Sequence, residues 1–285
     1  MKKKLIAGLL VGAMAVSLSG CGASKTEEAP ATGDSAAEET AEAEPVTLNV
    51  FAAASMTETL TEIQEMYKDV APNVTLVFNF DSSGTLKTQI QEGADCDLFI
   101  SAAQKQMNQF DKDADPEANT EGLDYVLEGT RVNLLENKIV LAVPDGNPKN
   151  IESFEDLGTD RLSLLALGNE DVPVGQYSTE ILTNLGILDS LEAEGKITYG
   201  SNVKEVTTQV SEAAADAGII YATDAFSAGL TVVDQAEGDL CKQVIYPAAV
   251  LNTSKNPEAA KEFLAYLQTD TCMQVFEAVG FTAAE

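Results

Sequence analysis

The chain has 285 residues, 45% of them hydrophobic, with 46 acids against 17 bases and a formal net charge of −29. That length fits two lobes or one large domain, and the charge argues against nucleic acid as a partner and against electrostatic docking on anionic membranes. The chain contains no histidine, which removes Ser-His-Asp and Cys-His catalysis and any His-ligated metal site.

Lys2, Lys3 and Lys4 give the chain a basic start, and residues 5–18 are apolar but too few for a comfortable membrane span. Residues 1–21 therefore read as a targeting segment. Leu18-Ser19-Gly20-Cys21 resembles a bacterial lipobox, which implies cleavage before Cys21 and a lipid on its sulfur. The plainer alternative is a secretory signal with an incidental cysteine. Residues 22–45 hold seven acids, one lysine and no hydrophobic periodicity, and read as a disordered acidic tether. Residues 46–285 carry 39 acids and 13 bases, so the folded part is itself strongly acidic. Cys96, Cys241 and Cys272 remain. Three is odd, so at least one is unpaired unless it bonds another molecule; a Cys241–Cys272 disulfide is one option.

From residue 46 the chain alternates. Residues 46–51 are β-prone and predict a strand, and Leu60, Ile63, Met66 and Tyr67 recur at helical spacing. Residues 74–80 predict a second strand, followed by a short helix carrying Leu86 and Ile90 and stopped by Gly93. Residues 97–101 predict a third strand, and residues 104–110 the start of a helix. Residues 111–130 are acidic and irregular. The apolar run 138–144 predicts a buried strand, 153–157 a short helix capped by Ser153, and 162–167 another strand. A helix with Ile181, Leu182, Leu185 and Leu188 follows, then a strand at 197–199. A helix with Val206, Val210, Ala213 and Ala214 leads to a strand at 217–222. Strands at 230–233 and 243–251 and helices at 257–268 and about 271–279 complete the chain. The βαβ alternation predicts an α/β protein with mainly parallel sheets.

Strand-to-helix corners centre on Ser55, Ser82/Ser83, Val174/Gly175 and Asn202/Val203. At each, the first helical N–H groups have no internal partner and carry the positive end of the dipole. The ordinary reading of each is helix capping with a glycine for the turn. If the corners meet in one cleft, at the carboxyl ends of the strands, they would hold a small anion without a formal countercharge. The residues alone leave both readings open.

Phe51-Ala52-Ala53-Ala54-Ser55, Ser82-Ser83-Gly84-Thr85-Leu86, Val172-Pro173-Val174-Gly175 and Tyr221-Ala222-Thr223-Asp224-Ala225 together, with Tyr246-Pro247 and residues 280–282, resemble the extracytoplasmic molybdate-binding proteins of ABC transporters. The likeness runs from about residue 46 to the end. It implies a type II periplasmic-binding-protein fold, two α/β lobes joined by two crossovers, with 46–137 plus 226–285 as lobe 1 and 138–225 as lobe 2. It implies oxyanion contacts from the hydroxyl and N–H groups of Ser55 and Ser83, the backbone N–H groups of Val174 and Val203, and the phenol of Tyr221. It implies no cofactor, a monomer, and delivery of molybdate or tungstate to a membrane permease, with the lipid on Cys21 keeping the protein at the membrane.

A cleft of donors only suits dianions that carry no proton. A protonated phosphate would bury an unsatisfied O–H, at about 1–3 kcal/mol, and sulfate must be rejected by size. Asp81 either caps the next helix or faces solvent, or it faces the cleft and changes that selectivity. A binding protein of the same fold for sulfate, phosphate or another small anion is the alternative. An enzyme could be drawn from Asp97, Asp224 and Ser83, but the chain has no GxSxG elbow.

Overall fold

The computed structural model describes residues 44–284. The targeting segment, the Cys21 lipidation site and all but the last two residues of the expected tether lie outside the described residues.

Strand β1 (Val46–Ala53) ends in a single 3-10 turn, Ala54–Met56, and helix α1 (Thr57–Val70) follows directly. Leu60, Ile63 and Tyr67 make the buried stripe of α1, at the three- and four-residue spacing that one helix face requires. Next come β2 (Val74–Asp81), α2 (Ser83–Gln91), β3 (Leu98–Ile100) and the short α3 (Gln104–Asn108). After an irregular stretch, β4 (Val132–Asn137) and β5 (Ile139–Val143) are separated by Lys138 alone. The sequence reading passes over β4, where Asn133, Glu136 and Asn137 interrupt the apolar pattern.

A 3-10 helix at Phe154–Gly158, without a side-chain cap from Ser153, precedes β6 (Leu165–Gly168), α4 (Pro173–Asn184), α5 (Leu188–Ala193), β7 (Ile197–Gly200) and α6 (Val203–Ser211). The chain ends through β8 (Ala217–Tyr221), α7 (Ala222–Ala228), β9 (Thr231–Gln235), β10 (Val244–Val250), α8 (Pro257–Leu267), α9 (Asp270–Ala278) and β11 (Thr282–Ala283).

The strands form a six-stranded sheet, β11-β4-β10-β3-β1-β2, and a five-stranded sheet, β7-β6-β8-β5-β9. Three parallel strands form one side of each, β2-β1-β3 and β7-β6-β8, and antiparallel strands the other, so the sheets are mixed and not mainly parallel as the βαβ alternation predicts. Helices between strands cover the faces, so inner strands such as β5 and β8 are buried along their whole length. The chain crosses between the sheets at residue 138 and again after Gln235. That second crossing lies ten residues beyond the 225/226 boundary expected from sequence. The cause is β9, which pairs with β5 and so stays with the second sheet.

Register sets the cleft. Ala53 of β1 lies opposite Asp81 of β2, and Gly168 of β6 opposite Gly200 of β7. Within each lobe two strands therefore finish level, and the two helices that follow begin side by side. Gly175 lets α4 start hard against β6: a Cβ there would meet the carbonyl oxygens of Gly168 and Asn169 at 2.3 Å. Cys96, Cys241 and Cys272 are free thiols and buried.

Candidate oxyanion cleft

Ser55 and Ser83 from one lobe and Val203 and Tyr221 from the other line a single cavity. Its empty space, the open mouth included, is about 190 Å³. Val174 is not on the lining, but Val172 and Pro173 of the same helix start are. The Val174 side chain is fully buried, and its N–H occupies the second position of α4, where no intrahelical partner exists. Thus four of the residues expected from sequence meet directly, and the fifth lies one residue from the wall.

The serines are not helix caps. Neither the 3-10 turn at Ala54–Met56 nor α1 has a side-chain cap. Ser55 Oγ instead lies 2.9 Å from Tyr246 Oη. Asn137 Nδ2 donates to Tyr246 Oη at 3.2 Å and to Thr223 Oγ1 at 2.9 Å. Either hydroxyl can be the donor of the Ser55–Tyr246 bond; with the Tyr246 phenol donating, the Ser55 hydrogen is available to a ligand. On α2 the cap is Ser82, whose Oγ accepts from the Thr85 N–H at 3.1 Å. That releases Ser83, whose Oγ accepts from the Ala102 N–H at 3.0 Å and so keeps its own hydrogen to donate. Asn202 caps α6 by accepting from the Glu205 N–H at 3.1 Å, leaving the Val203 N–H unclaimed.

Tyr221 ends β8 with its ring buried, and its Oη has no hydrogen-bond partner among the described residues. Burial pushes the phenol well above its ordinary value, so the oxygen keeps its proton and remains a donor. A buried O–H without a partner is rare in a native fold; on a cavity wall it is a donor waiting for an acceptor.

Asp81 corrects the expectation that it caps a helix or faces solvent. It lies on the cavity lining. Its Oδ1 accepts from the Ser82 N–H at 2.7 Å and, across the cleft, from Asn202 Nδ2 at 3.4 Å. Among the described residues, no lysine or arginine lines the cavity. Sequence reasoning noted Tyr246 only within the resemblance and gave Asn137 no role. The signal for Tyr246 is Pro247, which cannot donate to a ladder. The β10–β4 register shifts at that step, and such a bulge re-aims the side chain beside it.

One further pair sits beside the cleft. Lys204, next to Val203, bridges Glu58 and Asp224. Burial pushes the Asp224 carboxyl up to about 6, with Lys204 opposing it. Burial also works against the Lys204 ammonium, but Asp224 and Glu58 outweigh it and hold its pKa above the ordinary value.

Residues 48–282 match the family model described as bacterial extracellular solute-binding protein. The chain belongs to the bacterial extracellular solute-binding proteins. Among its relatives, the Bacillus subtilis (strain 168) protein named "Putative ABC transporter substrate-binding lipoprotein YvgL" is 38% identical over 240 residues, covering 84% of this chain and 87% of that one. Molybdate-binding protein ModA of Haemophilus influenzae is 33% identical over 241 residues, covering 83% and 90%. The Azotobacter vinelandii periplasmic molybdate-binding protein shares the fold at a TM-score of 0.71 and 22% identity, covering 84% of this chain and all of that one. Members of this solute-binding family carry ligands and are not enzymes, so the catalytic set drawn from Asp97, Asp224 and Ser83 is set aside. The type II periplasmic-binding-protein fold accounts for the two sheets and the paired crossings.

Proposed function

We propose that this solute-binding protein captures molybdate, and tungstate with it, and delivers the anion to an ABC transporter permease. The ligand would be held by the hydroxyl and N–H groups of Ser55 and Ser83, the N–H groups of Val174 and Val203, and the Tyr221 phenol. The observation that carries the reading is the Tyr221 Oη, buried on the cavity wall without a partner. The Ser83 hydroxyl left free to donate, the Ser55 hydroxyl on the same lining, and relatives named for molybdate support it. In this reading the lobes, residues 46–137 with the chain after the second crossing, and the segment between, close over the anion by hinge bending. A lipid on Cys21 would hold the protein, as a monomer, near the permease.

Asp81 favours a second reading. A carboxylate on the lining can accept a proton from hydrogen phosphate, which a wall of donors alone would leave unsatisfied. Calorimetric titration with molybdate, tungstate, sulfate and phosphate separates the two. One-to-one binding of molybdate and tungstate with phosphate silent is the expected result. Phosphate binding best would replace molybdate as the ligand and make Asp81 the selecting residue.

A further inference from the structure

Lys204 stands in the first turn of α6, directly after Val203, and its ammonium touches both lobes. It donates to the two carboxylate oxygens of Glu58, on α1, at 2.7 and 2.9 Å. On its own lobe it lies 3.0 Å from Asp224 Oδ1 of α7. The Glu58 side chain is 48% exposed and the Asp224 side chain 0%, so the lysine reaches from a wet carboxylate to a dry one. Apart from that ion pair, neither Asp224 oxygen has a hydrogen-bond partner among the described residues. Asp224 follows Tyr221 by three residues, and its charge is felt at both Tyr221 and Tyr246.

A bare carboxylate in this position would oppose any anion in the cleft. We propose that Lys204 is a positioning residue for anion capture: it ties α1 of one lobe to α7 of the other, and it cancels the charge of the carboxylate buried next to Tyr221. The bridging geometry stands by itself; the effect on affinity rests on the oxyanion reading above. The buried Asp224 charge is thus offset from behind the wall, by a cation that is shared with Glu58 and does not line the cavity, while Asp81 stands on the lining itself. The same ammonium leaves lobe 1 when the lobes part, because Glu58 moves with α1 and Asp224 does not. Release of the anion therefore costs one ion pair, and capture restores it.

The groups that face Asp224 are Lys204 on α6, Glu58 on α1, Tyr221 on β8 and Tyr246 on β10. Burial keeps both phenols protonated, so Lys204 is the cation among them. Lys204 holds the Asp224 carboxyl down against burial, so without it any charge on Asp224 is uncompensated, and that charge grows with pH. Calorimetric titration of the full chain with molybdate at pH 5 and pH 8 reads this directly. K204M is expected to weaken binding at least about tenfold at pH 8 and much less at pH 5, since losing one partner of a buried charge pair leaves the other uncompensated. Adding D224N to K204M restores most of the loss at pH 8. E58Q, which cuts only the tie between lobes, weakens binding by a smaller factor at both pH values. Wild-type affinity in K204M, or a loss equal at both pH values and unrescued by D224N, overturns the neutralising role. An unchanged E58Q overturns the tie. If the wild-type chain binds no molybdate, the ligand assignment falls separately. Thermal unfolding of the ligand-free variants then decides: a K204M deficit that grows with pH and vanishes with D224N upholds the neutralising role, and a flat one overturns it.

Discussion

Tyr221 and Asp224 sit three residues apart and are both buried, and burial has opposite uses in them. For Tyr221 it preserves a donor. Phenylalanine at this position removes one oxygen that has no partner among the described residues, so Y221F should unfold at the wild-type temperature or slightly above. Its anion affinity should fall roughly 10–150-fold, the equivalent of about 1.5–3 kcal/mol lost with one hydrogen bond to a charged group. Calorimetry beside a thermal melt checks both halves, and a lower melting temperature would mean the hydroxyl serves the fold. For Asp224, burial raises the carboxyl from 3.8 to about 6. Between those values the folded chain holds a proton that the unfolded chain has released, so stability falls as pH rises. The contribution is complete below about pH 4 and lost above about pH 6, a matter of a few kcal/mol. D224N lacks that dependence. The wild-type melting temperature minus that of D224N should therefore decrease from pH 4 to pH 7; a constant difference would count against a carboxyl held neutral by burial.

At the scale of elements, the cleft depends on how closely helix starts approach one another. Gly84, in the first turn of α2, faces the loop before α4 across the cleft. A Cβ there would meet the Asp171 carbonyl oxygen at 2.3 Å, and that oxygen is main chain, so the lobes themselves would have to give way. G84A should hold them apart. Overpacking of this kind costs about 1–3 kcal/mol, so affinity should drop roughly 5–150-fold, and small-angle scattering should show no contraction on adding molybdate. Contraction equal to wild type would show that closure does not rest on this contact. The corners themselves were legible in the sequence, because each is local: a β-prone run, a small or hydroxylated residue, then helical spacing. Ser82 as the cap and Ser83 as the free hydroxyl were not separable, since both occupy the same turn and only the Ala102 N–H, across the sheet, distinguishes them. Asn137 and Tyr246 were out of reach for the same reason. They are 109 residues apart, and Tyr246 reaches Ser55, 191 residues away, through a register shift that no window of sequence displays. The second crossing was hidden because it depends on β9 pairing with β5, a contact between distant parts of the chain.

Taken whole, the molecule binds an anion, on our reading, while carrying a formal charge of −29. The long-range field opposes approach, and salt screens it over about 8–10 Å. Association of molybdate should therefore quicken as ionic strength rises, the reverse of ordinary steering between opposite charges. Stopped-flow mixing at low and high salt measures this, and a rate that falls with salt would point to a local positive field stronger than the net charge. The two sheets also differ in how the chain supplies them. The five-stranded sheet uses only residues 139–235. The six-stranded sheet begins at residue 46 yet needs Val244–Val250 between β3 and β4 before it is whole. A nascent chain emerges amino end first, so the lobe started second has all its strands before the lobe started first. Until β10 arrives, β3 and β4 wait with a gap between them and apolar faces uncovered, a state prone to wrong pairing. The order of maturation thus runs against the order of synthesis, and the interval between the two crossings is when this chain most needs shelter.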